Sequence, residues 1–129
     1  MALRVVRLGT PRERGEGLRL GTVRRLPRGV PKSEYAKRDY FDLWLPELAP
    51  SNALVSFVQA DPEGRWKRFA QRYRAEMARP ANARLLGLLA ALSRRTDLSV
   101  GCYCADESRC HRSLLRELLA ARGGKLARR

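Results

Sequence analysis

The chain has 129 residues, 44% of them hydrophobic and 31% charged, with a formal net charge of +14. These are the values of one globular domain with a modest core, and they exclude a disordered chain. A membrane span is excluded as well, because no apolar run approaches the ~20 residues that a bilayer requires.

The three cysteines all lie between positions 102 and 110. That placement argues against a secreted disulfide framework and predicts reduced thiols in a cytoplasmic protein. No apolar signal region follows Met1-Ala-Leu-Arg, in keeping with that expectation. The charge is unevenly spread: residues 1–38 carry eleven Lys or Arg against three Glu, and residues 122–129 carry four without an acid. Two basic ends around a nearly neutral centre suit a polyanion such as nucleic acid, with a solubilising surface as the alternative.

In chain order, Leu3-Arg-Val-Val-Arg-Leu8 has the β-branched content of a first strand. Residues 9–17 read as a loop, with Thr10-Pro11 and three glycines, and residues 18–23 alternate as a second strand. The basic run Arg24-Arg-Leu-Pro-Arg-Gly-Val-Pro-Lys32 is a turn-rich loop, since two prolines and a glycine forbid regular structure. Residues 40–45 form a third candidate strand, ended by Pro46.

Helices follow. Ser51 N-caps one helix running to about residue 60, and Asp61-Pro62 opens the next. On that second helix Trp66, Phe69, Tyr73 and Met77 make a core-facing stripe, and Arg65, Arg68, Arg72 and Arg79 a basic one. Pro80 ends it. Leu85, Leu86, Leu88, Leu89 and Leu92 mark a third helix, residues 98–103 an interior strand, and residues 113–122 a last helix stopped by Gly123-Gly124. This order predicts an α/β fold: one small domain over residues 1–121, followed by a basic tail, 122–129. Its short, mostly parallel sheet is expected to be flanked by helices in a Rossmann-like three-layer arrangement. Ligands in such folds gather at the carboxyl ends of the strands.

The stretch from Leu98 to Leu115 holds every cysteine and the sole histidine at such a place. Three chemistries compete for it. Cys102, Cys104, Cys110 and His111 offer four soft ligands, enough for a tetrahedral zinc ion. Against this, C-x-C-x5-C-H is not a usual zinc spacing, and neighbours at 110 and 111 diverge by about 100° if both are helical.

As a catalytic site, Cys110 or Cys102 is the candidate nucleophile, His111 the acid or base and Arg112 the charge stabiliser. A C-x5-R phosphatase loop is absent, because Cys104 is followed six residues on by Cys110, and Cys102 by Ser108. As an anion site, the first-turn N–H groups of the last helix act with Arg109 and Arg112, joined by Arg25 and Arg28 of the basic loop. The structural alternative makes Cys102 a small core residue and 110–112 an ordinary helix start.

At these residues the chain resembles the domain-of-unknown-function family 488, the DUF488 or YeaO-like proteins, over nearly its whole length. The resemblance rests on Arg25-Leu-Pro-Arg-Gly29, on Trp44-Leu-Pro-Glu-Leu-Ala-Pro-Ser51 and on Asp61-Pro with Trp66, Phe69 and Tyr73. Above all it rests on Cys102 together with Cys110-His-Arg112. It implies a compact cytosolic α/β domain and carries no reaction with it. Where the family usually has a glutamate two residues after the first cysteine, this chain has Cys104. The aspartate and tryptophan common around Arg-Leu-Pro-Arg-Gly are missing here, Arg24 standing beside that element. The leading expectation is a cytoplasmic protein that binds a small anionic ligand, a nucleotide or phosphometabolite, at the Cys-His-Arg corner. A nucleic-acid-binding module and a structural zinc protein are the alternatives.

Overall fold

A computed structural model describes residues 1–127. Four strands, β1 (Leu3–Arg7), β2 (Leu18–Gly21), β3 (Leu43–Trp44) and β4 (Leu98–Cys102), form one sheet in the order β1-β4-β2-β3. Every neighbouring pair is parallel, as the α/β reading requires. β4 lies between β1 and β2 with all five residues buried, and Val5 and Leu20 both pair with Val100.

Four helices, α1 (Asn52–Gln59), α2 (Trp66–Met77), α3 (Pro80–Leu92) and α4 (His111–Ala121), complete the domain. They share one core with Leu3, Leu20, Leu98 and Val100. To it α1 gives Leu54, α2 Phe69 and Tyr73, α3 Leu86 and Leu89, and α4 Leu115 and Leu119. Alternate strand residues face opposite sides, so Leu98 and Val100 put the helical layer on one face of the sheet.

The opposite face, carrying Arg19, Gly21, Ser99 and Gly101, is covered by irregular chain. Leu8 lies against Gly101 and Phe41 against Gly21. The parallel α/β domain is as expected, and on this face the covering layer is built from residues 8–17 and 22–42. Under that layer lies a buried polar network. Arg19 Nε and Nη2 donate to the two carboxylate oxygens of Glu16 at 2.5 and 2.9 Å, and Ser99 Oγ donates to Glu16 Oε1 at 2.9 Å.

Boundaries follow local chemistry. Ser51 Oγ accepts the N–H of Leu54 at 3.3 Å and caps α1 as expected. Asp61 instead closes a turn on the N–H of Gly64 at 3.1 Å, so α2 starts only at Trp66. The third strand shrinks to two residues, because Phe41 tucks under the sheet and Asp42 Oδ2 accepts the N–H of Arg19 at 2.8 Å.

Residues 125–127 run along the outer edge of β1. Leu3 donates to the Lys125 carbonyl at 2.7 Å and Ala127 donates to the Leu3 carbonyl at 2.8 Å. Arg128 and Arg129 of the predicted tail lie outside the described residues. No helix among the described residues is long and apolar enough to cross a membrane.

Gly17 is the tightest point of entry into the sheet. Its φ is +72°, and an added Cβ would collide with the carbonyl of Asp97. Gly17→Ala is expected to cost about 1–3 kcal/mol, from overpacking and left-handed backbone together. Urea unfolding checks this; an unchanged midpoint would show that the loop yields freely.

Candidate functional site

β4 delivers Cys102 at its carboxyl end, one residue short of the predicted strand end. The chain then turns through a single short 3-10 turn (Glu107–Arg109), held by Asp106, whose carboxylate accepts the N–H of Ser108 at 3.0 Å. Cys110 follows as the N-cap of α4, in extended conformation (φ −123°, ψ 149°), and His111 is the first helical residue. Because Cys110 is not helical, the 100° divergence of two helical neighbours does not arise. Cys110 Sγ and His111 Nδ1 lie 3.7 Å apart.

The cluster is tight. One ligand atom from each of Cys102, Cys110 and His111 lies within 4.8 Å of the others, and all three residues are buried. Exposed Cys104 brings its Sγ to 3.8 Å from that of Cys102. These four residues are thus close together and can hold a metal ion.

The imidazole is oriented by the sheet. His111 Nε2 is 2.7 Å from the carbonyl oxygen of Thr22. A carbonyl only accepts, so Nε2 carries the proton and the neutral ring turns an unprotonated Nδ1 towards the thiols. Burial pulls the His111 pKa down to about 4, which keeps the ring neutral at physiological pH. Thr22 is itself fixed, its hydroxyl donating to the Gly101 carbonyl at 2.9 Å. Tyr73 meets the His111 ring edge-on with centroids 5.6 Å apart, and its OH donates to the Leu48 carbonyl at 2.7 Å.

The three thiols differ. Hydrogen bonds from Cys102 and then Cys110 hold the Cys104 thiol down, to about 2, with the nearby charge of Arg112 adding to the effect. The donor role to Cys104 pushes Cys102 up to about 11. Hydrogen bonding to both other cysteines, then burial, pushes Cys110 well above the ordinary thiol range. The ionised form is thus favoured at Cys104, which accepts from Cys102, and disfavoured at buried Cys110.

Arg112 is 3% exposed and donates through Nη2 to the Cys104 carbonyl at 2.6 Å. Its Nε has no hydrogen-bond partner among the described residues. The guanidinium thus ties down the loop that carries Cys104.

A cavity of about 410 Å³ opens beside the cluster. It is lined by the four Cys and His residues and by Val55, Val58, Trp66 and Phe69 of α1 and α2, among others. Of the predicted ligand-binding arginines, Arg25 and Arg109 line this cavity, whereas Arg28 and Arg112 do not. Arg24 also lines it, but donates to the carbonyls of Pro50 and Ala49 at 3.1 and 3.2 Å.

Sequence reasoning missed the apolar wall. Trp66 and Phe69 do stack, at 5.1 Å, yet they also face the cavity, and helical spacing alone does not separate the two roles. The basic stripe of α2 is partly engaged by the fold: Arg65 and Arg72 sit over the Phe57 ring at 4.7 and 4.4 Å.

Fold and site together define a small parallel α/β domain with a thiol-rich corner at the carboxyl end of its central strand. The chain belongs to the DUF488-N3a family, described as the active DUF488-N3 subclade, which matches residues 3–123. No curated protein and no solved structure matches the chain.

Proposed function

We propose that the thiol-rich corner is a zinc centre that pins the 103–110 loop to the sheet and thereby shapes a pocket for a small anionic ligand. The observation that carries this reading is the convergence of Cys102, Cys110 and His111 within 4.8 Å, with Cys104 Sγ at 3.8 Å from Cys102 Sγ. Ligand atoms around a tetrahedral zinc ion lie about 3.5–3.8 Å apart, given Zn–S near 2.3 Å and Zn–N near 2.0–2.1 Å. The separations of 3.8 Å for Cys102–Cys104 and 3.7 Å for Cys110–His111 fit that geometry. Thiolates with one imidazole favour zinc over hard cations.

The surroundings support the same reading. The bond from His111 Nε2–H to the Thr22 carbonyl is the outer contact that fixes a ligating histidine. Three thiolates on a divalent ion leave one negative charge, and the buried Arg112 guanidinium beside Cys104 offsets it. Cys102, Cys110 and His111 thus act as ligands rather than as nucleophile and base. Zinc bound here supplies cross-linking of loop to strand. The anionic ligand is expected at Arg25 and Arg109, which line the cavity and whose guanidinium groups form no hydrogen bond or ion pair with a described residue.

Metal analysis of protein purified without a histidine tag tests the proposal. About one zinc per chain is expected by the Cys3His reading. Protein that remains folded with no stoichiometric metal, even after incubation with zinc, would overturn it.

A further inference from the structure

We infer that the cavity beside the thiol cluster takes a small molecule with a flat apolar body and one anionic end, an aryl carboxylate or aryl phosphate, an inference that rests on the pocket reading above. Its volume of about 410 Å³ falls at the small end of ligand pockets, roughly 300–1,000 Å³. Much of its lining is apolar, with Val23, Val55, Val58, Pro62, Trp66 and Phe69, and Gln59 is the one uncharged amide among them.

A ligand rich in hydroxyls or amides would bury polar groups against that apolar lining without partners, which costs affinity for each group. An aromatic body loses nothing there and gains a flat contact beside the stacked Trp66 and Phe69 rings. The anionic end is placed by the arginines whose guanidinium groups are not tied down by hydrogen bonds. Arg24 is tied to backbone carbonyls, whereas Arg25 and Arg109 are exposed residues lining the cavity whose guanidinium groups make no hydrogen bond among the described residues. The Arg25 backbone is anchored by the Tyr103 hydroxyl, which donates to its carbonyl at 2.9 Å. Two guanidiniums lining a largely apolar chamber match one small anion better than a polyphosphate chain.

Trp66 makes the test direct, since the other tryptophan, Trp44, does not line this cavity and donates its indole N–H to the Val23 carbonyl at 2.7 Å. In a Trp44→Phe background, full-length protein as purified is titrated with phenyl phosphate, benzoate, benzyl alcohol and inorganic phosphate while Trp66 fluorescence is read. Saturable binding of phenyl phosphate or benzoate is expected, at least ~10-fold tighter than benzyl alcohol or inorganic phosphate. The double variant Arg25→Ala, Arg109→Ala, which alters only exposed side chains, is expected to lose ~10-fold in aryl-anion affinity while leaving benzyl alcohol unchanged.

Equal binding of inorganic and phenyl phosphate would overturn the apolar half. Equal binding of benzyl alcohol, or no effect of the double variant, would overturn the anionic half. Zinc is measured on the same samples, so a zinc-loaded protein that ignores the aryl anions refutes this inference alone. Aryl-anion binding by metal-free protein refutes only the zinc reading.

Discussion

Glu16→Ala is expected to destabilise the fold by about 3–5 kcal/mol, the range found when one partner of a buried ion pair is removed. Glu16 and Arg19 are 2% and 1% exposed in their side chains, beneath the loop that covers the second sheet face. Arg19 grips both carboxylate oxygens and also donates through Nη1 to the carbonyls of Thr10 and Asp39, at 2.9 and 2.6 Å. Without Glu16 a guanidinium stays buried with only the Thr10 and Asp39 carbonyls as direct partners. Glu16→Gln should lose less, because the amide oxygen still accepts one of the Arg19 bonds.

The pair also sets an acid limit. Burial pushes the Glu16 carboxyl up, but bonds from Arg19, the Glu13 N–H and Ser99 outweigh it and hold the group below its ordinary value. A carboxylate lowered in the folded state adds stability above its unfolded pKa and loses it as pH falls through the folded one. Urea unfolding of wild type and Glu16→Gln at neutral and acid pH checks both statements. Their difference in stability should shrink as pH drops through the carboxylate range; a constant difference would contradict the linkage.

His111→Ala is expected to lower zinc affinity by more than about 100-fold, since changes merely to the residues orienting a metal ligand already cost 10–100-fold. The histidine supplies the only nitrogen of the set, and its loss also strands the Thr22 carbonyl it now satisfies. Cys110→Ser should behave similarly, whereas Cys104→Ser, at the exposed side, should weaken binding less. Competition with a chromophoric chelator measures these affinities. Wild-type affinity in His111→Ala would remove the imidazole from the centre.

Much of this was legible in the sequence, for reasons that differ by element. β4 was readable because an interior parallel strand is mostly apolar, and Leu98, Val100 and Cys102 interrupt a run of helices. The helices were readable from their stripes, and Ser51 announced its cap. The start of α2 was misplaced, because Asp61-Pro62 looks like a helix opening but closes a turn on Gly64. The covering of the second face was hidden, since Leu8 and Phe41 reach Gly101 and Gly21 only through tertiary contact.

The site was half legible. Its members were evident from the gathering of all cysteines and the histidine in one stretch. Their joint orientation was not, since it turns on the extended backbone of Cys110, which sequence spacing does not separate from a helical one. Nor was the orienting role of Thr22, which lies 89 residues from His111 along the chain. Arg28 and Arg112 looked equivalent to Arg25 and Arg109 as pocket cations, and only the fold separates them.

X-ray absorption at the zinc edge, on protein purified without added metal, bears most directly on the proposed centre. A first shell of three sulfurs near 2.3 Å and one nitrogen near 2.0–2.1 Å is expected from Cys102, Cys104, Cys110 and His111. A shell of oxygen and nitrogen alone would contradict it.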